Sequence, residues 1–592
     1  MSRFGYELPF GAQLIAPERT RFRFWAPDCE QVRLVLGETT ALPMAPEADG
    51  WFVLACDCGA GTRYQFELPS GQRVPDPASR WQPDGVHGAS VVIDPHDYQW
   101  QQDSWQGRRW SDMVIYELHV GCFSESHDFD GVRRHLQELA DLGVTAIELM
   151  PIAAFPGNRN WGYDGVLPFA PAATYGSPAQ LKRLIDCAHA LGLCVYLDVV
   201  YNHFGPDGNY LHSYAEAFFD ADKHSPWGAA IDFSRPEVRQ FFTTNALYWL
   251  LEYRFDGLRF DAVHAISDPG WLDEMAAEVR RAIEPGRQVH LVLENEHNAS
   301  GHLEQLFDAQ WNDDGHNVLH VMLTGESEGY YANYTDQPSQ KLARCLAEGF
   351  VYQGEWSPTH DHTRGTRSGH LPAHAFVLFL QNHDQIGNRA LGERLTTLTS
   401  ERALRAATTL QLLAPQIPLL FMGEEWGCTQ PFLFFTDFHN ELADAVRNGR
   451  RNEFAAFAAF QDEASRAQIP DPNAPGTFTC SVLQRPAALH THPVWCFYQK
   501  LLYLRREHIA PELERVSDAW AEVLAEGVVH ASWQLETERL HIAANLSDRN
   551  VTVPVPRGIM LFESDVSHSD EIDRGALLAW TTWVWLEPTA RM

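Results

Sequence analysis

The stretch that decides the fold is Leu258-Arg259-Phe260-Asp261-Ala262-Val263-His264, which follows a turn at residues 255–257. Its apolar beginning predicts a short buried strand over residues 258–261. Because side chains alternate along a strand, Arg259 and Asp261 lie on one face and their apolar neighbours lie on the other. A guanidinium beside a carboxylate favours the ionised acid, and a charged, immobile Asp261 suits a nucleophile. If this were the only such stretch, a structural ion pair at a strand end would explain it better.

Three further stretches share this design, an apolar run of strand length that ends in a carboxylate or a histidine. They are Leu197-Asp198-Val199-Val200-Tyr201-Asn202-His203, His290-Leu291-Val292-Leu293-Glu294 and Leu380-Gln381-Asn382-His383-Asp384. Functional residues at the C-terminal ends of several strands are typical of a parallel α/β barrel. Four such strand ends in one chain therefore predict a single site at one end of a barrel.

The central part of the chain alternates strand-like and helix-like patterns, as a parallel sheet requires. Strands are predicted at 114–121, 144–151, 194–200, 258–261, 290–294, 307–311, 375–381 and 416–422, and helices at 130–142, 178–191, 238–252 and 271–283. The segment at 203–235 is too long to be an idle connection and is interpreted as a short insertion. About eight strands with interleaved helices predict the α/β class and a (β/α)8 TIM barrel.

Composition and charge limit the functions that the chain can have. At 592 residues it is too long for one core and should form two to four domains. Its net charge of −33 makes nucleic acid and anionic membranes poor partners but does not repel a neutral substrate. The ten cysteines are scattered without metal-ligand spacing, so we expect free thiols. No signal peptide or run of transmembrane length is recognisable, and we therefore expect a cytoplasmic protein with no membrane partner.

Together, the four strand-end stretches resemble the four conserved regions of the α-amylase family of glycoside hydrolases. Their joint occurrence by chance is very improbable, so the resemblance is specific. It implies hydrolysis of an α-glucan at the end of a (β/α)8 barrel, with no cofactor. It also implies that the insertion at 203–235 is an abbreviated form of the loop domain that the family carries after its third strand.

Alternating apolar and polar residues on both sides of the barrel predict two β domains. The patterns lie at 20–25 and 31–36 before the barrel and at 539–546 and 551–554 after it. The first part resembles the immunoglobulin-like module that often precedes the barrel in this family, and we expect it to pack against the barrel rather than to bind sugar. The predicted domains are a β-sandwich over 1–95, the catalytic barrel over 96–515 and an antiparallel β domain over 516–592.

Two carboxyl groups with opposite properties are needed for the chemistry. Hydrolysis with retention uses a carboxylate nucleophile and a carboxylic acid about 5 to 5.5 Å apart. Asp261 suits the first task. The acid must keep its proton near neutral pH, which requires burial or a neighbouring negative charge. Glu294 meets this requirement because the apolar run 290–293 ends at it, one strand away from Asp261. Glu296 faces the same way by strand alternation and is the alternative.

The resemblance assigns further roles around these two groups. Asp384 matches the family's third catalytic carboxylate, which holds sugar hydroxyl groups without attacking the substrate. Tyr163 matches the tyrosine that stacks under the sugar at the cleavage point. His203 and His383 match the histidines that hydrogen-bond the same ring. A lone histidine is more often an ordinary core or surface residue, so these two assignments depend on their motifs.

Two other motif residues have a supporting or an open role. Asp198 is expected to orient Arg259, which we count among the substrate-binding residues. Asn202 matches a calcium ligand of some amylases. The insertion offers no acidic cluster to complete a calcium site, and no metal is expected.

Longer stretches narrow the resemblance to one branch of the family. They are 116–121, 323–326, Gln381-Asn382-His383-Asp384-Gln385-Ile386-Gly387-Asn388-Arg389 and Phe421-Met422-Gly423-Glu424-Glu425-Trp426. This branch cleaves the α-1,4 bond next to the terminal trehalose of maltooligosyltrehalose, which implies a functional pairing with a trehalose-forming synthase. The alternatives are a glycogen branching enzyme, which is a transferase, and a catalytically inactive glucan-binding protein.

Selection of trehalose requires a residue that accepts its turned second ring. Trehalose joins its glucose units anomer to anomer, and a flat aromatic wall can accept that geometry. Trp227, in the insertion, is predicted to form this wall in the trehalose-side subsites. Packing within the loop is an equally good explanation for a tryptophan at this position.

Overall fold

Eight parallel strands close into a barrel at the centre of the molecule. The computed structural model describes residues 4–225, 228–565 and 574–589. The barrel strands are β1 (Ile115–Leu118), β2 (Ala146–Leu149), β3 (Cys194–Val199), β4 (Gly257–Phe260), β5 (His290–Leu293), β6 (Ala309–Trp311), β7 (Phe376–Phe379) and β8 (Ile417–Phe421). β1 pairs in parallel with β8 and so closes the sheet. This confirms the TIM barrel that the sequence predicts.

Helices surround the barrel and connect its strands. The longer ones are Pro178–Ala190, Pro236–Leu251, Gly270–Ala282, Asp313–Thr324, Pro338–Glu348, Glu401–Leu413, Asn440–Glu453 and Pro493–His508. Shorter helices are Val120–Phe123, Phe129–Arg134, Leu136–Leu142, His383–Gly387, Leu395–Leu398, Glu463–Arg466 and Pro475–Ser481. The helix before β3 shows why such segments begin where they do. Ser177 accepts from the Gln180 backbone, and the Gln180 side chain accepts from the Ser177 backbone, a capping box completed by Pro178.

The single helix predicted over 130–142 is wrong. Two helices occupy this segment, and they meet at His135, whose φ of −107° and ψ of 4° are not helical. The ring of His135 pairs with Glu138 at 3.0 Å and packs at 6.0 Å from the ring of Phe123. These contacts hold His135 as the cap of both helices, which the apolar periodicity of the sequence does not show.

Two small antiparallel sheets precede the barrel and pack face to face. One contains Gly11–Ala16, Arg19–Trp25, Ala45–Pro46 and Trp51–Cys56, and the other contains Arg33–Leu36, Thr40–Pro43, Arg63–Glu67, Arg73–Val74 and Ser90–Val91. The rings of Phe24 and Phe66, one from each sheet, stack with centroids 4.1 Å apart. Alternation of buried and exposed residues along Arg19–Trp25 follows from this one-sided packing.

The last part of the chain forms a five-stranded antiparallel sheet. In spatial order its strands are Ser517–Ala525, Val528–Gln534, Glu538–Asn545, Thr581–Pro588 and Ile559–Glu563. Val551–Thr552 pairs with Ala576–Leu577 beside it. These sheets agree with the predicted β domains, whereas the domain boundaries at 95 and 515 stay predictions.

The N-terminal sheets are joined to the barrel by a buried interface. Phe10 packs against Phe241 and Phe169, with ring centroids 5.6 and 6.0 Å away. Arg80 and the barrel residue Lys182 both pair with Glu252, at 3.1 and 3.2 Å, and all three side chains are almost completely buried. The packing role expected for the N-terminal part therefore has a physical basis.

The insertion after β3 folds back against the N-terminal sheets. It contains a hairpin of Phe219–Ser225 and Gly228–Ile231. Upstream of that hairpin, the Asp28 backbone donates to the carbonyl oxygen of Tyr214 at 3.2 Å. Trp227 lies outside the described residues, so its predicted contact with substrate stays a prediction. Among the described helices, none is both long and apolar enough to span a lipid bilayer.

Candidate active site

A single buried guanidinium organises the C-terminal end of the barrel. Arg259 of β4 is 1% exposed and lies over the ring of Trp311, 4.2 Å from its centroid. Its Nη1 donates to Asp198 at 2.7 Å and to Asp261 at 3.0 Å, and its Nη2 donates to Glu294 at 2.8 Å. Three carboxyl groups from three neighbouring strands thus converge on one cation. The register pairs Asp198 with Arg259, which explains why the expected contact between them forms.

Asp261 is held on two sides immediately after β4. Besides Arg259, the side-chain amide of Asn202 donates to Asp261 Oδ2 at 2.9 Å. The same amide donates to the backbone carbonyl of Asp261 at 2.9 Å. Hydrogen bonds to both oxygens hold the carboxylate still. Asn202, which matches a calcium ligand elsewhere, here contacts Asp261 directly.

A left-handed residue follows Asp261 and turns the backbone toward Glu294. Ala262 has φ 41° and ψ 49°, which is uncommon for a residue with a side chain. Its N–H donates to Glu294 Oε2 at 2.8 Å. Backbone strain of this kind is of order 1–3 kcal/mol and persists where surrounding contacts compensate for it. Here the compensating contact joins the ends of β4 and β5.

Glu294 has the environment expected of an acid that keeps its proton. Burial raises the pKa of Glu294 well above its ordinary value, and the nearby carboxylates of Asp261 and Asp384 raise it further, against the opposing effect of Arg259. Its side chain is 17% exposed, so it still reaches the cavity. Glu294 is thus a buried carboxyl group next to the arginine-bound carboxylate of Asp261. Such a difference in surroundings allows one carboxyl group to act as the acid and the other as the nucleophile.

Glu296 has a different environment from that of Glu294. Its side chain is 48% exposed and pairs with His360 at 2.6 Å and with His264 at 3.6 Å. Although burial acts the other way, the hydrogen bond from His360 lowers the pKa of Glu296 below its ordinary value. An acid held in its ionised form is a poor proton donor. The environments therefore favour Glu294 over Glu296 as the acid.

A second group of side chains forms the floor of the site. The hydroxyl of Tyr163 donates to Asp198 Oδ2 at 2.6 Å and lies 2.8 Å from Nε2 of His383. The rings of Tyr163 and His383 stack with centroids 5.0 Å apart. Nε2 of His203 lies 3.0 Å from the backbone carbonyl of Tyr163. The structure thus brings together the predicted tyrosine and both predicted histidines.

Asp384 lies next to this floor, at the start of helix His383–Gly387. Its side chain is 38% exposed, and Oδ1 accepts from Asn388 at 2.9 Å and lies 3.6 Å from Nε2 of His383. An exposed carboxylate on the cavity wall can accept hydrogen bonds from sugar hydroxyl groups. Except for Trp227, the predicted site residues therefore converge on one end of the barrel.

Six of the predicted site residues, all except Arg259 and Trp227, line a cavity of about 480 Å³, whose wall also includes residues that the sequence did not indicate. Asp313, the first residue of the helix after β6, is one of them, and burial raises its pKa to about 7. Others on the wall are Trp161, His264, Asn317, Tyr330, His360, Arg364, Asn388 and Phe434. Asp313 follows a strand end, as the predicted residues do, and this position is a signal that could have found it. Within the described residues, no group of three or more potential ligands is arranged to hold a metal ion.

Comparisons with known proteins agree with this geometry. The family described as "Alpha amylase, catalytic domain" matches residues 117–229, and "Domain of unknown function (DUF3459)" matches residues 517–585. A malto-oligosyltrehalose trehalohydrolase of Deinococcus radiodurans is 43% identical over 82% of this chain and 81% of its own length. A second one, from Saccharolobus solfataricus, is 38% identical over 85% and 87%.

Solved structures show the same relationship. A protein of Salmonella typhimurium described as an alpha amylase superposes with a TM-score of 0.92 at 43% identity, covering 98% of this chain and 100% of that one. A pullulanase of Paenibacillus barengoltzii reaches a TM-score of 0.73 at 20% identity and shares the fold.

The barrel, its strand-end residues and the catalytic-domain match define a class of protein, the α-amylase-type glycoside hydrolases. Sequence identities of 38 to 43% over more than four fifths of both sequences narrow the assignment from this class to one family. The chain belongs to the malto-oligosyltrehalose trehalohydrolase family.

Proposed function

We propose that the protein is a retaining glycoside hydrolase that cleaves the α-1,4-glucosidic bond next to the terminal trehalose of maltooligosyltrehalose and releases trehalose. The observation that carries this proposal is the sharing of Arg259 by Asp261 and Glu294. One guanidinium holds two carboxyl groups whose surroundings differ in the way that a nucleophile and an acid require. Family membership supplies the substrate class.

In the first step, Asp261 Oδ attacks the anomeric carbon of the glucose at the cleavage point. The bond to the leaving oxygen breaks, and the Glu294 proton moves to that oxygen, so trehalose departs with its hydroxyl group complete. The glucan remains as an ester of Asp261. Burial keeps the proton on Glu294 until this step.

In the second step, the ionised Glu294 accepts a proton from water, whose oxygen attacks the same anomeric carbon from the side that trehalose left. The ester bond breaks, Asp261 regains its carboxylate, and Glu294 is again protonated. Two inversions at one carbon give net retention. Tyr163, His203, His383 and Asp384 surround the sugar ring in this proposal, and Arg259 keeps the two carboxyl groups in place.

The acceptor in the second step distinguishes this enzyme from a branching enzyme, which would use a glucan hydroxyl. A 1,4-alpha-glucan branching enzyme of Pseudoalteromonas atlantica matches with 34% identity over 41% of this chain and 38% of its own length. The trehalohydrolases match over about twice that share of the chain. Water is therefore the better-supported acceptor.

The substrate must already end in trehalose, so an enzyme that rearranges the end of a malto-oligosaccharide has to act first. We accordingly propose a functional pairing with a trehalose-forming synthase.

We also propose a cytoplasmic location, because all ten cysteines are free thiols, as a reducing compartment maintains them.

The test is a single-turnover reaction with maltopentaosyltrehalose, followed by chromatography and proton NMR. We expect trehalose and maltopentaose in equal amounts, with the new reducing end first appearing as the α-anomer. Longer branched products would indicate a transferase. Binding without cleavage would indicate a glucan-binding protein. A β-anomer would refute retention.

A further inference from the structure

Glu117, in β1, is a buried carboxylate that the proposed reaction does not use. It is 1% exposed. Its Oε1 lies 2.5 Å from Nδ1 of His383, and its Oε2 accepts from the backbone N–H of the same residue at 2.9 Å. Both carboxylate oxygens are therefore directed at one histidine. Charge-assisted pairs with two contacts fix orientation as well as charge.

A comparison of two buried histidines near the site shows how the Glu117 carboxylate affects the protonation of a histidine. Nδ1 of His119 accepts from the backbone N–H of Cys122 at 3.1 Å, so this nitrogen carries no proton. Burial lowers the pKa of His119 to about 4. Burial also acts to lower the pKa of His383, but the Glu117 carboxylate, with a smaller contribution from Asp384, acts in the opposite direction, and the pKa rises to about 9. At neutral pH, His119 is uncharged and His383 is an imidazolium.

The charged state of His383 determines where the Tyr163 proton lies. An imidazolium carries a proton on Nε2, which must donate, and the Tyr163 hydroxyl 2.8 Å away must accept. The hydroxyl then gives its own proton to Asp198 at 2.6 Å, on the oxygen that also accepts from Arg259 at 2.7 Å. A chain of directed hydrogen bonds thus connects Glu117 with the guanidinium that holds both catalytic carboxyl groups.

We propose that Glu117 is a positioning residue that keeps His383 doubly protonated and thereby fixes the direction of the Tyr163–Asp198–Arg259 hydrogen-bond chain under the sugar. Its effect on rate rests on the proposed function, whereas its effect on the protonation of His383 does not. Glu117 touches neither substrate nor reacting atoms and acts only through His383.

The groups that face His383 come from several elements. They are Glu117 of β1, Tyr163 and Asp384 close to the ring, and Asp198, Arg259, Glu148 and His119, which interact with it electrostatically from further away. Of these, Arg259 opposes a charge on His383, while Glu117 and Asp384 favour it. Glu117 contacts the ring at 2.5 Å, whereas Asp384 is 3.6 Å away and partly exposed. Removal of Glu117 should therefore leave His383 uncharged at neutral pH.

The neighbouring strand offers a matched control. Glu148 of β2 is paired in register with Glu117 and is equally buried, at 1% exposure. Within the described part of the chain, neither of its carboxyl oxygens has a hydrogen-bond partner. Burial raises the pKa of Glu148 well above its ordinary value, and Glu117 adds to the effect, which favours the neutral form of this group. Glu148→Gln changes a buried acid into an amide without touching His383.

The experiment compares Glu117→Gln, Glu117→Asp and Glu148→Gln with the unchanged protein. Nitrogen-15 spectra of histidine-labelled protein at pH 8 report the charge of His383, whose signal is assigned by its loss in His383→Asn. We expect an imidazolium signal in the unchanged protein, in Glu148→Gln and in Glu117→Asp, and a neutral ring in Glu117→Gln. Thermal unfolding of each variant checks that it folds.

Kinetics provide the second readout. Misplacing a group by about 1 Å can reduce a rate about 100-fold, so we expect kcat of Glu117→Gln to fall about 10- to 100-fold at pH 8 with KM changed less. The loss should shrink as the pH falls and His383 gains a proton. Glu117→Asp should recover part of the loss, and Glu148→Gln should stay within about threefold of the unchanged protein.

An imidazolium in folded Glu117→Gln, or an equal loss of kcat at every pH, would overturn the proposal. Kinetics use malto-oligosaccharides as well as trehalose-capped substrates, which separates the two proposals. If the unchanged protein releases no trehalose but the spectra behave as expected, the substrate is wrong and the role of Glu117 stands.

Discussion

The substitution Glu294→Gln preserves the shape of a side chain while removing the proton that it would donate. Both hydrogen bonds to the side chain of Glu294 within the described residues enter at Oε2, from Arg259 and from the Ala262 backbone, each at 2.8 Å. The carbonyl oxygen of a glutamine accepts both in the same way. Fold and substrate binding should therefore be retained, and the change in rate isolates acid catalysis.

Loss of a general acid reduces a rate by about 10² to 10⁴, or about 3 to 5 kcal/mol in activation free energy. We expect this loss in kcat/KM on maltopentaosyltrehalose, where the leaving sugar needs a proton. A nitrophenol leaves readily without a proton from the enzyme. The first step with an aryl malto-oligoside that carries this leaving group should therefore slow less than about tenfold. The ratio of the two losses is the measured quantity.

The dependence on pH gives an independent check. Because burial raises the pKa of Glu294, the acid form persists at neutral pH, and activity should decline as the pH rises through that pKa. On the aryl substrate this alkaline decline should disappear in Glu294→Gln.

Glu296→Gln is the matched control, since Glu296 is already ionised by His360 and half exposed. It should change both rates by less than about threefold. Selective rescue of Glu296→Gln by the aryl substrate, with none for Glu294→Gln, would refute the assignment of the acid.

Three further predictions follow from the same structure and sequence. Asp261→Asn should reduce turnover by about 10³-fold or more with the fold intact, because an amide cannot form the glycosyl ester; a folded variant that keeps a tenth of the activity would exclude Asp261 as nucleophile. Trp227→Ala should lower the kcat/KM preference for maltopentaosyltrehalose over maltoheptaose about 5- to 100-fold, from a ring contact of roughly 1 to 3 kcal/mol; an unchanged ratio would place selection elsewhere. Burial raises the pKa of Glu424 in the folded protein to about 8. The protonated side chain therefore contributes its full stability below the pKa that Glu424 has in the unfolded chain, and this contribution is lost as the pH rises through 8. Denaturant titrations at pH 6 and pH 9 should therefore show a smaller loss of unfolding free energy in Glu424→Gln than in the unchanged protein.

The strand ends were predictable because two simple rules act there together. Apolar runs identify buried strands, and a charged residue directly after such a run must reach solvent or a partner. Asp261 and Glu294 follow this pattern directly, whereas Asp384 comes five residues after the end of β7, in the helix that follows that strand. Alternation alone could not separate Glu294 from Glu296, because both face the same way. Arg259 and the backbone turn at Ala262 on one side, and the histidines around Glu296 on the other, distinguish the two environments.

Contacts made by side chains outside the strands could not be predicted in this way. The amide of Asn202 reaches Asp261 from a loop whose path no periodicity describes. The pairing of Glu117 with His383 joins residues 266 positions apart, across the closure of the barrel. Such contacts depend on how the sheet curves shut, which local sequence patterns do not encode.

The salt bridges of Glu252 bear on how this protein can change over generations. Arg80 reaches Glu252 from the N-terminal sheets and Lys182 reaches it from the barrel, with all three almost completely buried. Removing one partner of a buried pair costs about 3 to 5 kcal/mol, against a total stability of about 5 to 15 kcal/mol for a typical domain. A recombination event that replaced the first ninety codons without supplying a cation at position 80 would leave Glu252 with Lys182 alone in this buried interface. Such an exchange should therefore destabilise the protein, because the sandwich and the barrel depend on one another through Glu252.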